Sequence, residues 1–332
     1  VTNQRNDGTN NRWRLAIIIV NYRTADLTVD CLASLAAPAT VPDGTCVIVV
    51  DGGSGDGSAQ RIASAIDENG WSNMACLALQ ENGGFAYGNN RGIEYAAERF
   101  GDPDYVLLLN PDTVARPMSI IMLVGFMDNE PRAGIAGSSL EHPDGRKQAC
   151  AFRFPSISNE FEGEAKLGPI TRLLDRWRVV PEMPQKPSRI DWVSGACMIM
   201  RSDLLHDVGL LDDRFFLYFE ETDFCLRAAR AGWSCWHVPQ SRVVHLVGQA
   251  TGVTRYTRPA RRPPYWFQSR NLYFLKNHGL LYASLANLAW LCGHLVFRLR
   301  VVIERRQSGL PPHLLLDFLR HVGLGSRRGL SP

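Results

Sequence analysis

The chain lacks several signatures that would place it quickly. Its eight cysteines include no CxxC pair, and some, such as Cys46 and Cys197, sit inside apolar runs. They read as buried free thiols in a reducing compartment. The first apolar run, residues 15–20, is too short for a signal-peptide core or a membrane span, so the body is expected to be cytoplasmic. No internal repeat is visible, and no GxGxxG follows a strand, which disfavours a Rossmann oxidoreductase. Acid is scarce at one end only. From Arg255 onward thirteen Lys/Arg face two Asp/Glu, a balance of +11, against −8 in the rest of the chain and +3 overall. A basic tail on an acidic body points to a polyanionic surface, anionic lipid or nucleic acid. Nucleic acid would leave the acidic crevice described below unexplained.

The 332 residues, 45% hydrophobic and 21% charged, suit one large α/β domain with additions, or two domains. Apolar runs at 15–20, 46–50, 74–79 and 105–109 read as strands, with helices over 25–36, 58–69, 90–99 and beyond Pro117. A short fifth strand is expected at 134–139. This alternation predicts a doubly wound, mostly parallel sheet. Six prolines interrupt 141–189, which reads as a long excursion or lid. Regular pattern resumes with strands at 192–200 and 234–238 around a helix at 220–231. Residues 258–264 form a Pro/Arg-rich linker to a helical extension.

The most informative stretch is Asn110-Pro111-Asp112-Thr113, directly after the apolar run 105–109. Proline stops the strand, so Asp112 projects from its carboxyl end, where open α/β sheets bind ligands. A strand followed by a turn and a helix cap would read the same way. Asp51 opens a Gly/Ser/Asp loop at 51–58 whose acids would repel a pyrophosphate but can hydrogen-bond a base or ribose. The stretch Asn82 to Asn90, with Gly84, Asn89, Asn90 and then Arg91, offers amides and a guanidinium to phosphate, though each Asn also suits a helix cap. Glu220 and Glu221 begin a helix, where the dipole favours acids in any case. Successive helical positions differ by ~100°, so the two are expected to point apart. Asp223 and Arg227 are spaced for an ordinary helix pair. His245, near a strand end, is by itself as well read as a core histidine.

In order along residues 13–250, these segments resemble the family 2 glycosyltransferases of GT-A fold, particularly bacterial rhamnosyltransferase-like members. The matching pieces are 18–22 with Asn21, 49–51 with its loop, 82–93, 109–113, 192–201, 215–223 and 245–248. The resemblance implies that Asp51 contacts the nucleotide base. It places Asn21, Gly84, Asn89, Asn90, Arg91 and Asn110 around the donor, and Trp192, Gly195 and Glu220 around the acceptor. Asp112 matches the last acid of the family's DXD element and would bind Mn²⁺ or Mg²⁺ with His245; Asn110 replaces the first acid. Glu221 matches the catalytic base, one methylene longer than the commoner Asp. The implied activity is inverting transfer of a sugar, L-rhamnose from dTDP-L-rhamnose, to a polyprenyl-diphosphate-linked N-acetylglucosamine. Another donor such as UDP-galactofuranose, or a nucleotide-sugar-binding protein without catalysis, are the alternatives.

In the tail, Leu281, Leu285, Leu288, Leu291, Leu295, Leu299 and Val302 form one helical stripe. Asn287, His294, Arg298 and Arg305 gather on another face. Asn287 and His294 interrupt the apolar stretch 280–297, so an in-plane amphipathic helix on an anionic membrane fits better than a span. Packing of the stripe on the catalytic domain or a partner subunit is the alternative.

Overall fold

The computed structural model describes residues 13–166, 178–246, 260–305 and 309–322. The expected polar tail at 1–12 and Gly248 of the histidine motif lie outside them.

Strands β1 (Leu15–Asn21), β2 (Thr45–Asp51), β3 (Met74–Ala78) and β4 (Tyr105–Leu109) alternate with helices α1 (Ala25–Ala36), α2 (Ser58–Glu68) and α3 (Gly84–Phe100). These four strands are parallel, in the order β3-β2-β1-β4. Beyond β4 the sheet continues through β10 (Cys197–Arg201), β6 (Ala133–Glu141), β11 (Ser234–His245) and the edge strand β5 (Thr113–Ala115). β10 and β5 run antiparallel to their neighbours, so the sheet is mixed but mostly parallel. A ninth strand, β8 (Ser188–Ile190), pairs with β11.

β1 shows why the sheet must be covered twice. Leu15, Ile17 and Ile19 pack with α1, α2 and α4 (Ser119–Asn129), whereas Ala16 and Ile18 pack with α3, α6 (Ser202–Val208) and α7 (Glu220–Arg230). A strand apolar at every position has no solvent face, which is the pattern of a doubly wound sheet. Gly92 lets α3 lie close: a Cβ there would meet Ile18 at 2.5 Å.

Three sequence expectations are corrected. The strand expected at 134–139 is nine residues long, and the three-residue β5 precedes it. The strand expected to end at Val238 runs on to His245. Pro239 cannot donate to the ladder, so the register shifts between Val238 and Arg242 and pairing with β6 then resumes. The excursion at 141–189 is only partly irregular. β7 (Ala151–Phe152) pairs with β9 (Trp192–Val193), and α5 (Ile157–Ala165) begins in a Ser156/Asn159 capping box.

α5 is the cradle for the C-terminal helices. The long helix α8 (Pro264–Ile303) is broken at Gly279, whose φ of 80° and ψ of 173° are not helical. Its two halves fold onto each other: Arg270 donates to Asn287 Oδ1 at 2.6 Å and to Glu160 of α5 at 2.7 and 3.0 Å. α9 (Leu314–Val322) closes the bundle, with Phe318 stacked on Trp290 at 3.8 Å. The first half of α8 is tied to α7 through Asp223. That fully buried carboxylate accepts from Arg227, Lys276 and Asn277 at 3.0, 2.6 and 2.8 Å, so the expected Asp223–Arg227 pair is one arm of a larger clamp.

Candidate active site

Several distant chain segments meet around the carboxyl ends of β1, β2 and β4. Asn21 and Asp51 end adjacent strands in register. Asn21 Nδ2 donates to Asp51 at 2.6 Å, and the same carboxylate accepts from the backbone N–H and hydroxyl of Ser54 at 3.0 and 2.6 Å. Asn21 Oδ1 in turn accepts from Thr24 and Thr28, which anchors the start of α1. The loop at 51–58 is therefore organised around Asp51, and its positive-φ glycines, Gly53, Gly55 and Gly57, carry the turn.

Asn110 and Asp112 leave the end of β4. The Asn110 N–H donates to Ala196, so the turn before β10 lies over the strand end. Asp112 is 2% exposed, and its Oδ1 has no hydrogen-bond partner. His245 Nε2 stands 3.4 Å from that oxygen, because β11 pairs with β5 at Thr113 and Leu246 N–H donates to the Asp112 carbonyl. Gln148 orients the imidazole: its Oε1 lies 3.2 Å from His245 Nδ1 while its Nε2 donates to the His245 carbonyl at 2.7 Å. A proton on Nδ1 leaves the Nε2 lone pair facing Asp112, the arrangement by which a neighbouring acceptor fixes a ligating histidine. Among the described residues no third His, Cys, Asp or Glu completes a protein-only metal site. An orphaned buried carboxylate oxygen beside an imidazole lone pair fits a divalent cation whose other positions are filled from outside the protein.

Glu220 and Glu221 open α7 after two residues, Tyr218 and Phe219, held at positive φ. The two carboxyl groups are close enough to act on each other, and each leaves its Oε2 buried and unpartnered. Burial first, and then the charge of Glu221, push the Glu220 carboxyl well above the usual range. Burial also raises Glu221, but backbone N–H groups of Glu221, Gly195 and Thr222 oppose the shift. Burial thus raises both carboxyl groups, and the backbone donors around Glu221 favour its charged form.

Phe85 joins this edge to the rest. Its N–H donates to Phe216 at 2.7 Å, and a Cβ on Gly84 would strike the Phe216 carbonyl at 2.1 Å. A Cβ on Gly195 would touch Phe85 at 3.3 Å and Glu221 at 4.0 Å, so Gly195, Phe85 and Glu221 are mutual neighbours. A buried carboxylate pair thus shares one crevice wall with the Asn110–Asp112 turn. Residues 12–272 match the family model described as Glycosyltransferase like family 2.

The chain belongs to that family. It is 31% identical over 250 residues, 72% of this chain and 78% of the relative, to N-acetylglucosaminyl-diphospho-decaprenol L-rhamnosyltransferase of Mycobacterium tuberculosis. It is 25% identical to Rhamnosyltransferase WbbL of Escherichia coli over 49% of this chain and 60% of that one. Mannosyltransferase PcManGT from Pyrobaculum calidifontis, solved with GDP-Man and Mn²⁺, shares the fold at a TM-score of 0.51 and 14% identity, over 90% of this chain and 77% of that one. The GT-A architecture expected of the chain is the one it has. The protein is a glycosyltransferase.

Not every donor-side residue of this transferase is free for a ligand. Asn90 donates to the Leu211 carbonyl and to Asp213, and accepts from Leu211 N–H, so its amide ties α3 to the loop before α7. Arg91 pairs with Glu94 at 2.7 Å and lies over Tyr87. Asn89 donates to Phe85, and its Oδ1 is buried without a partner. The Asn110 side chain makes no hydrogen bond among the described residues. Trp192 stacks on Phe152 at 4.2 Å and donates its indole N–H to Arg153. Sequence reasoning missed Gln148 and Phe85. Gln148 lies in the irregular excursion and carries no motif, whereas Phe85 was visible within the 82–93 stretch.

Proposed function

We propose that this transferase moves L-rhamnose from dTDP-L-rhamnose to a polyprenyl-diphosphate-linked N-acetylglucosamine, in cell-wall or surface polysaccharide synthesis. The activity of the mycobacterial relative, at 31% identity over most of both chains, supports the substrates. The observation that carries the chemistry is an orphaned Asp112 oxygen facing His245, beside the turn where Gly195 neighbours the unpartnered Glu221 carboxylate.

Glu221 takes the proton from the acceptor hydroxyl as that oxygen attacks the anomeric carbon, giving inversion in one displacement. Glu220, keeping its own proton, donates to Glu221 and holds it in place. Asp112 and His245 hold Mn²⁺ or Mg²⁺, which when bound neutralises the departing nucleoside diphosphate. Asp51 and Asn21 shape the base pocket, and the free amide of Asn110 reaches the donor. Asn90 serves by positioning the 211–213 loop. Trp192 and Gly195 line the acceptor side.

Turnover separates this reading from its rivals. Purified protein with Mn²⁺ and a short-chain polyprenyl-diphosphate N-acetylglucosamine is expected to release nucleoside diphosphate from dTDP-L-rhamnose far faster than from UDP-galactofuranose or other nucleotide sugars. Preference for another donor would retire the rhamnose assignment. Tight donor binding with no transfer to any acceptor would retire catalysis.

We place the protein on the cytoplasmic face of an anionic membrane. Leu281, Leu288, Leu295, Leu299 and Val302 are 55–76% exposed on α8, while Ala283, Ala286, Trp290 and His294 on its other side are buried. The helix is inside-out relative to the amphipathic expectation: Asn287 and His294 face protein, and leucines face outward. A continuous apolar face of this kind rimmed by Arg298, Arg300 and Arg305 suits insertion into the headgroup boundary. Cutting the chain after Gly279 would strip core residues, so point charges are the better test. Combining Leu281→Glu, Leu288→Glu and Leu295→Glu is expected to abolish flotation with phosphatidylglycerol vesicles while nucleoside diphosphate binding persists. Equal flotation of wild type and variant would count against it.

A further inference from the structure

Two consecutive arginines lead into α8 and meet different fates. Arg261 is spent on α9, with bonds of 2.5 and 2.7 Å to Asp317. Arg262 lies with its guanidinium 4.1 Å over the centre of the Trp266 ring and makes no hydrogen bond or ion pair among the described residues. It is half-buried, and burial pulls its proton affinity down. A guanidinium whose donors the described residues leave free, held flat on an indole, is open to an anionic ligand.

Its surroundings are those of the active site. Tyr218, two residues before Glu220, feels the charges of both Glu220 and Glu221 and also that of Arg262. The Tyr218 ring stacks on Tyr265 at 6.1 Å, Phe219 meets Trp266 edge-on at the same distance, and Ser269 donates to the Leu217 carbonyl at 3.0 Å. The start of α8 is thus fastened to the loop that carries the general base. Two acids, Glu160 and Glu164, act on Arg262 through space. Glu160 is already held by Arg270 at 2.7 Å, while Glu164 makes no hydrogen bond to Arg262 and leaves its Oε2 buried without a partner, 3.5 Å from His294.

We infer that Arg262, shelved on Trp266 beside Tyr218 and the Glu220–Glu221 pair, is the subsite for the diphosphate group of the lipid-linked acceptor. A planar guanidinium matches a phosphate pair bidentately, and stacking on an indole fixes its plane without using its donors. Held there, the diphosphate places the sugar hydroxyl towards Glu221 and the lipid towards the helix that bears the exposed leucines. This rests on the proposed acceptor class, and its test is built so that the two can fail separately.

Arg262→Gln and Arg262→Lys in the full chain are compared with wild type on N-acetylglucosamine carried by a short prenyl chain through a diphosphate, a monophosphate or an ether. For the diphosphate acceptor, the Gln variant is expected to raise KM roughly tenfold to a hundredfold, with Lys between, at unchanged donor KM. The ether acceptor should be used equally poorly by all three proteins. Farnesyl diphosphate, which has no sugar, supplies a readout independent of turnover: its calorimetric Kd should rise by the same factor in Arg262→Gln. A rise in donor KM instead would assign Arg262 to the departing nucleotide and overturn the inference. Lost vesicle flotation with unchanged KM for the soluble acceptor would assign it to lipid headgroups. A fall in Tm with unchanged KM and Kd would make it a structural partner of Glu164. Absence of transfer to any acceptor by wild type, with the farnesyl diphosphate effect intact, would sink the transfer reaction and leave the diphosphate site standing.

Discussion

Glu221→Gln is expected to lower turnover roughly 10²–10⁴-fold while leaving donor binding largely intact. The side chain keeps its size and can still accept hydrogen bonds from Gly195 and Thr222, but it cannot take a proton. Glu220→Gln makes the contrast. If Glu220 holds the shared proton, an amide donates to Glu221 in the same way, and activity should stay within about tenfold of wild type. The pH profile gives an independent check. Burial raises the Glu221 carboxyl above its ordinary value. The base works only when ionised, so kcat/KM should fall as pH drops through an apparent pKa above the normal glutamate range. A dead Glu220→Gln beside an active Glu221→Gln would reverse the two roles.

Asp112→Ala is expected to abolish the metal-dependent part of nucleoside diphosphate binding, measured by calorimetry with and without Mn²⁺. Among the described residues no group of three His, Cys, Asp or Glu could hold a metal ion, so the proposed site rests on two protein ligands, Asp112 and His245. Losing one of two leaves too few to hold a divalent ion against water. Gln148→Leu provides a graded companion. It keeps both ligands but frees the imidazole to turn, and should weaken Mn²⁺-dependent binding by about 10–100-fold. Unchanged affinity in Asp112→Ala would remove this pair from the donor site altogether, whatever its effect on turnover.

Both effects depend on a crevice assembled from distant parts of the chain. Asp112 and His245 are 133 positions apart, and they meet because β11 passes Pro239 through a register shift and reaches β5. A proline after an apolar run normally signals a strand's end, and local pattern cannot reveal that the neighbouring β6 is long enough to resume pairing. The Glu220–Glu221 contact was hidden for a similar reason. Helical periodicity sets the residues ~100° apart at Cβ, but it says nothing of where two long, flexible side chains bring their carboxyl groups.

What the sequence determined by itself is the doubly wound sheet and which polar residues stand at its strand ends. Strands buried on both faces are apolar throughout and break abruptly into Asp, Asn and Gly, a signal carried by adjacent residues. The leucine stripe of α8 was equally legible, since 3.6-residue periodicity is local. Which side of that helix faces water was not. Asn287 and His294 look solvent-seeking in sequence, yet Arg270 and Trp290 give them partners inside, and the leucines are left outside. The tertiary structure also decided which polar residues are available. Asn90 and Arg91 stand in the motif, but Leu211, Asp213 and Glu94 engage them, while Arg262 stands in no motif and has no hydrogen-bond partner among the described residues. A residue's type states what bonds it can make; only the packing of the whole chain determines which of those bonds are already taken.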